Sequence, residues 1–176
     1  MLRNSNYIKD NILIADEKNT TLKYCKASTG VDLSVKTFYT LESAGVLLKN
    51  KTIVGEYKEV KKQSNDKFSS GWFLPRGEYI CVLNEGCKFG THDVGYIVLR
   101  SSLNRNCANL TSAVWDPCFT TKNANNEIEN MSVRLSVLTD KGIFIEENAR
   151  VGQLLVFEIE DGATEYSGQY QGRGLK

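Results

Sequence analysis

From residue 31 onward the chain is written in short apolar or alternating runs bounded by turn residues. The clearest are 31–38, 79–83, 95–99, 131–138, 142–145 and 153–159. Each is too short for a typical helix and carries the apolar and β-branched character of a strand. Asp140-Lys141-Gly142 supplies a turn between two of them. Helical spacing shows only near the start, where Tyr7-Ile8 and Ile12-Leu13-Ile14 predict a short amphipathic N-terminal helix. Two polar stretches interrupt the pattern. Residues 49–67, rich in Lys, Glu, Ser and Asn, read as a solvated strand-loop or exposed hairpin. Residues 120–130 read as a loop between two strands. Many short strands with few helical windows predict an all-β sandwich or barrel of jelly-roll type.

The chain of 176 residues is the size of one domain and is read as a single unit over 1–176. Within it, 1–27 form a helix and lead-in, and 162–176 a flexible, glycine-rich tail. With 41% hydrophobic and 24% charged residues the composition is that of a soluble globular protein. A net charge of +1 gives no global field for nucleic acid, so any anion site must be local. No apolar stretch is long enough to span a bilayer, and the first residues lack the apolar segment of a signal peptide, so a cytoplasmic location is expected. Cys25, Cys81, Cys87, Cys107 and Cys118 form no C-x-x-C pair and read as free, mostly buried thiols. A zinc-dependent deaminase is excluded. Pro117-Cys118 is followed by Thr121 where a second Cys would be needed, and His92, the one histidine, has no Glu two residues on. His92 reads as a loop residue.

The chemistry concentrates where one strand ends. Gly95-Tyr96-Ile97-Val98-Leu99 runs directly into Arg100-Ser101-Ser102-Leu103-Asn104-Arg105. Two planar guanidinium forks and two hydroxyls in six residues suit phosphate oxygens. This block has company: Gly30-Val31-Asp32-Leu33 before it, Trp115-Asp116-Pro117 and Gly152-Gln153-Leu154 after it, and Tyr170-Gln171-Gly172-Arg173-Gly174 at the end. In that order, over roughly residues 28–174, the blocks resemble the dUTPase and dCTP deaminase superfamily, and the tail resembles the deaminase branch most.

The resemblance implies a distorted β jelly roll of dUTPase-like type and a homotrimer with each active site between subunits. Arg100, Ser101, Ser102 and Arg105 would lie along the triphosphate. Asp32 would help organise the Mg²⁺-bound triphosphate. Asp116 matches the aspartate that holds the attacking water, and the following Pro117 fixes its backbone. A carboxylate so placed polarises water and accepts its proton, typically for a gain of about 10²–10⁴ in rate. Ala113, Trp115, Phe119 and Arg134 would lie by the sugar and base, with Gln153 nearby. The tail residues Tyr166, Gln169, Tyr170 and Arg173 would fold over the phosphates and exclude water.

The chain also departs from the family pattern. The deaminase branch uses a glutamate as its proton shuttle, and backward alignment from Gly152-Gln153 puts Arg134 at that position. A guanidinium stays charged and cannot shuttle protons near neutral pH. Glu127 or Glu129, in the longer loop, could replace it. Cys107 and Cys118 stand where the family has glycines, and Val137 where it has an asparagine. In the tail, Gln169 and Arg173 replace a Lys and a Gln. Three readings follow: a Mg²⁺-dependent dUTP diphosphatase releasing dUMP and pyrophosphate, a dCTP deaminase (alone or bifunctional), and a non-catalytic nucleotide-binding or regulatory member of the same family.

Overall fold

The computed structural model describes residues 1–14, 29–65, 68–160, 164 and 166–173. Most of the lead-in, Cys25 and parts of the tail, Gly174 included, therefore lie outside the described residues. In chain order the elements are α1 (Ser5–Asn11), β1 (Leu13–Ile14), β2 (Val31–Leu41), β3 (Val46–Leu48), β4 (Lys51–Ile53), β5 (Tyr57–Glu59), β6 (Gln63–Asn65), β7 (Phe68–Leu74) and β8 (Gly77–Leu83). They continue with β9 (Gly86–Cys87), β10 (Asp93–Leu99), α2 (Ser101–Arg105), β11 (Ala108–Thr111), β12 (Ser132–Val137), β13 (Ile143–Glu146) and β14 (Arg150–Glu158).

The main sheet runs β10-β14-β2-β8-β12-β11, with β5 added beside β2. Its two ends approach each other, because the backbones of Gly95 in β10 and Trp115 beyond β11 exchange both hydrogen bonds at 2.9 Å. The result is a nearly closed, distorted jelly roll. A second sheet of β13, β7 and β6 packs against it, and β3 and β4 form a separate hairpin. That hairpin is exposed, with Leu47 in solvent, as expected for the polar stretch around it. β5 departs from that expectation, since Tyr57–Glu59 pair with Tyr39–Leu41 and belong to the main sheet.

Strand β2 organises the core. Its first five residues are buried and its two halves pair with different neighbours, residues 31–34 with β14 and 35–39 with β8. Phe38 meets Trp72 edge-on at 5.2 Å, and the Trp72 indole donates to the Val60 carbonyl. Leu33, Leu83, Leu135 and Leu154 fill the interior around them. Gly30 opens the strand at φ +74°, where a Cβ would lie 2.7 Å from the Leu154 carbonyl oxygen, so no larger residue fits.

The N-terminal helix is shorter than its apolar spacing suggests. Leu13 and Ile14 leave the helical pattern to pair with Gly86 and Cys87. Asn4 caps α1 by accepting from the Tyr7 N–H, and Ile8 anchors it in the core. Arg3 and Tyr7 both reach the buried Asp93, at 3.0 and 2.8 Å, with the Arg3 guanidinium stacked 4.3 Å over the Tyr7 ring. Cys81 and Cys87 are buried as predicted; Cys107 is exposed and Cys118 half-buried. His92 lies in the exposed turn before β10. No helix among the described residues is long and apolar enough to cross a membrane.

Burial raises Tyr7 above the ordinary phenol value of 10.0, with the Asp93 hydrogen bond second, and burial also raises Tyr79. It pushes the Cys81 and Cys87 thiols well up from 9.0. The folded chain keeps protons that the unfolded chain releases, so this stability is complete below the unfolded values and is lost as pH rises. The urea midpoint is expected to hold steady up to about pH 9 and to fall beyond it. Tyr7→Phe is expected to remove part of the fall above the phenol value. A midpoint unchanged between about pH 8 and pH 11 would contradict this.

Candidate functional site

Two groups of side chains stand out, at different ends of the β10–β11–β12 surface. The first gathers at the C-terminal end of β10. Arg100 Nε lies 3.4 Å from Asp32 Oδ1, and Arg150 Nη1 lies 3.1 Å from Asp32 Oδ2. The pairing of β14 with β2 brings them together, since Gln153 is in register with Asp32 and Arg150 with Ser34. One carboxylate thus holds two guanidinium groups, leaving the cluster net cationic. Ser101, Ser102 and Arg105 extend it along the exposed side of α2, which the buried Leu103 pins to the core. Gln153 donates to the Thr29 carbonyl just ahead of Gly30.

Arg150 was not among the residues read from the sequence. It is 118 positions from Asp32, and no local motif marks it. The available signal was its place opening the strand that contains Gly152-Gln153. Asp32 does not fit a protein-held metal ion. Both its oxygens face guanidinium groups, and among the described residues no three His, Cys, Asp or Glu side chains gather as a metal site. Its carboxylate is paired with both arginines.

The second group surrounds a cavity of about 310 Å³. Ala113, Trp115, Asp116 and Phe119 form one wall, Thr121, Asn130 and Ser132 another, and Tyr166, Tyr170 and Arg173 close it from the tail. Asp116 sits exposed at the start of a tight turn in which the Phe119 N–H bonds back to the Asp116 carbonyl. Pro117 occupies the second turn position and Cys118 the third, at φ +62°, where glycine is the usual residue. Trp115, Phe119 and Tyr166 stack edge to face in series, at 5.3 and 5.4 Å.

The tail docks on its own chain. Tyr166 N–H donates to the Pro117 carbonyl, Gly172 N–H to the Thr120 carbonyl, and Gln171 bridges the Cys118 carbonyl and the Thr120 N–H. These contacts seat residues 166–173 against the 117–120 turn. Tyr170 and Arg173 consequently face the cavity, whereas Gln169 is exposed and away from it.

Arg134, predicted beside the base, is on the outer face of β12. Its Nε lies 3.6 Å from Glu78; Ser132, two residues earlier on the same face, lines the cavity and Arg134 does not. Glu127 accepts from Asn123 within the 122–128 turn, and the Glu129 N–H bonds to Thr121; neither carboxylate lines the cavity. Asp116 is the one carboxylate among the lining residues. Cys107 follows α2 at φ +53°, in the left-handed position that closes many helices. Val137 is buried in β12.

The sequence profile of the dCTP deaminase-like family matches residues 5–159. A probable deoxyuridine 5'-triphosphate nucleotidohydrolase of Aeropyrum pernix is 33% identical over 150 residues, covering 83% of this chain and 84% of that protein. The deoxyuridine 5'-triphosphate nucleotidohydrolase of Methanocaldococcus jannaschii is 30% identical over 146 residues, covering 82% and 85%. Among solved structures, the 2'-deoxycytidine 5'-triphosphate deaminase of Agrobacterium tumefaciens superposes with a TM-score of 0.60 at 14% identity. The match takes in 90% of this chain and 46% of that one, so the chain spans about half the deaminase's length and shares its fold.

Arg150→Ala and Arg100→Ala are each expected to weaken binding of inorganic tripolyphosphate by about tenfold or more, because each removes a charge-assisted donor. Titration calorimetry checks this, and an unchanged affinity in both variants would remove the cluster from anion binding. Cys107→Gly and Cys118→Gly are each expected to raise stability by about 1 kcal/mol, since glycine has no Cβ to strain a left-handed backbone. Urea denaturation of each variant reads this directly.

Proposed function

The chain belongs to the dCTP deaminase-like family, and from that premise we propose that it is a dUTP diphosphatase, hydrolysing dUTP to dUMP and pyrophosphate. The observation that carries the reading is the cavity's chemistry: among the described residues that line it Asp116 is the one carboxylate, and no described glutamate lines it to shuttle a proton to a cytosine ring. Asp116 would hold the water that attacks the α-phosphorus and take up its proton. Trp115, Phe119 and Tyr166 offer an apolar, aromatic enclosure for a base, and Arg173 a cation toward the phosphates. The names of the archaeal relatives support hydrolysis over deamination. A divalent cation such as Mg²⁺ would arrive coordinated by the triphosphate, as part of the substrate.

The arrangement supports a site completed by a second copy of the chain. Trp115 is bridged to Gly95, five residues before Arg100 along β10, so the cavity and the arginine cluster lie roughly 16 Å apart in one chain. None of Arg100, Ser101, Arg105 or Arg150 lines the cavity. In a ring of copies, one chain's cluster could face the next chain's cavity, which a homotrimer would provide. We further read residues 1–176 as a single domain acting in the cytoplasm on a small-molecule substrate, without nucleic acid or membrane.

Incubating the protein and Mg²⁺ with dUTP or dCTP, then resolving products by ion-exchange chromatography, tests the reading. Pyrophosphate and dUMP from dUTP support it; dUTP from dCTP would transfer the assignment to deamination. Binding of either nucleotide without product would make the chain a non-catalytic member of the family. Asp116→Asn is expected to lower the hydrolytic rate constant by about 10²–10⁴ while leaving nucleotide affinity nearly intact. An unchanged turnover number in that variant would remove Asp116 from the reaction.

A further inference from the structure

Outward positions on an antiparallel sheet that faces water are ordinarily polar, and on part of this sheet they are. Asn109 and Thr111 on β11 and Arg134 on β12 are exposed and hydrophilic. β10 and β14 break that alternation. In β10 the inward residues Asp93, Gly95 and Ile97 are buried, which leaves Val94, Tyr96 and Val98 on the outer side. Their partners across the ladder are Phe157, Leu155 and Gln153 in that order, and directly paired residues share a face. All but Gln153 of this outward set are apolar or aromatic. Tyr96 is 43% and Phe157 38% exposed, and the two rings meet edge-on at 6.4 Å. A contiguous apolar patch on the far side of a sheet that already packs the core marks a contact with another molecule.

Both groups of site residues border this patch. The outward series continues from Val98 to Arg100, whose backbone is still extended. Across the sheet Val98, Gln153 and Asp32 form one row, so Asp32 and the two arginines paired with it stand at one end of the patch. Val114 precedes the Trp115 that is bridged to Gly95, which brings it beside Tyr96; it is 43% exposed and lines the cavity. We propose that the outer face of β10 and β14 is the contact between copies of this chain, and that it joins the arginine cluster of one copy to the cavity of another. The inference rests on reading the two groups as halves of one nucleotide site. The layout favours a second copy as the occupant, because a copy seated on this face brings the missing half to the half-sites at its edges. An unrelated protein would bury the same apolar side chains and leave cluster and cavity roughly 16 Å apart in each chain.

Tyr96→Glu and Phe157→Glu test the face, since each places a charge where association would bury it unpaired. Both positions are exposed in the single chain, so the fold is expected to survive, and far-UV circular dichroism checks it. In sedimentation velocity the wild type is expected to associate, and each variant's dissociation constant to rise about a hundredfold or more. At concentrations where the wild type is associated, dUTP hydrolysis by the variants is expected to fall about tenfold or more. A second measurement leaves the face intact. Asp116→Asn and Arg100→Ala chains, denatured and refolded together in equal amounts, are expected to recover about a quarter of wild-type turnover, because a mixed contact can carry both intact halves. Each alone is expected to stay far below that. A wild type that stays monomeric, or glutamate variants that associate as it does, would overturn the interface. So would monomeric variants with unchanged hydrolysis, or refolded mixtures no more active than their components when the wild type is active. In each of these cases dUTP hydrolysis by the wild type leaves the functional reading standing. A wild type that associates through this face without hydrolysing dUTP keeps the interface and overturns the functional reading.

Discussion

Strand β2 is hydrogen-bonded along both edges, and this pairing is the constraint from which the rest of the molecule follows. Residues 31–34 pair with β14 and residues 35–39 with β8, where a register shift between Val35 and Thr37 bends the strand. The same strand so serves both halves of the main sheet, and its buried side chains reach into a core shared by both. The bend leaves polar groups at depth, and they are satisfied locally. Glu85, fully buried, accepts from the Ser34 N–H and hydroxyl, and Asn84 donates to the Ser34 hydroxyl and the Val35 carbonyl. Buried polar groups held in this way fix one register, because a slip by one residue would strand them without partners.

The arginine cluster is a consequence of that register. Asp32 sits at the start of β2 opposite Gln153, and Arg150 opens the paired strand, so both guanidinium groups converge on one carboxylate. Two cations sharing one anion retain a net positive charge and a fixed orientation, which is what a polyanion needs. The cavity follows from a different part of the topology. Closure of the main sheet through Gly95 and Trp115 sets the Asp116–Phe119 turn beside the start of β12, and the tail caps the gap between them.

Strand positions were legible because a half-buried sheet imposes alternation on the sequence. The runs at 79–83, 95–99, 131–138 and 153–159 became β8, β10, β12 and β14, shifted or extended by one to three residues at their ends. β7 was not read, since Gly71 and two serines break its apolar pattern, although it carries the core residue Trp72. β11 was missed for its shortness, and α2 because a helix of five residues has too few turns to show a period. The substituted glycines were informative in the other direction. Cys107 and Cys118 both adopt the left-handed backbone that a glycine takes without strain, which agrees with the glycines that the family resemblance implies at these positions.

By itself the sequence determined the class of fold and pointed to the Arg100–Arg105 block and Asp116 as candidate site residues. Strand periodicity, the Arg100–Arg105 block and Asp116-Pro117 are local patterns, readable without knowing which segments touch. Only the tertiary structure decided which side chains share a space. It joined Arg150 to Asp32 across 118 positions, paired Arg134 with Glu78, tied Glu127 to Asn123 in its own loop, and left the buried Trp115 indole N–H without a partner. These outcomes depend on strand register and sheet closure, which are set by long-range packing and leave no mark on neighbouring residues in the chain.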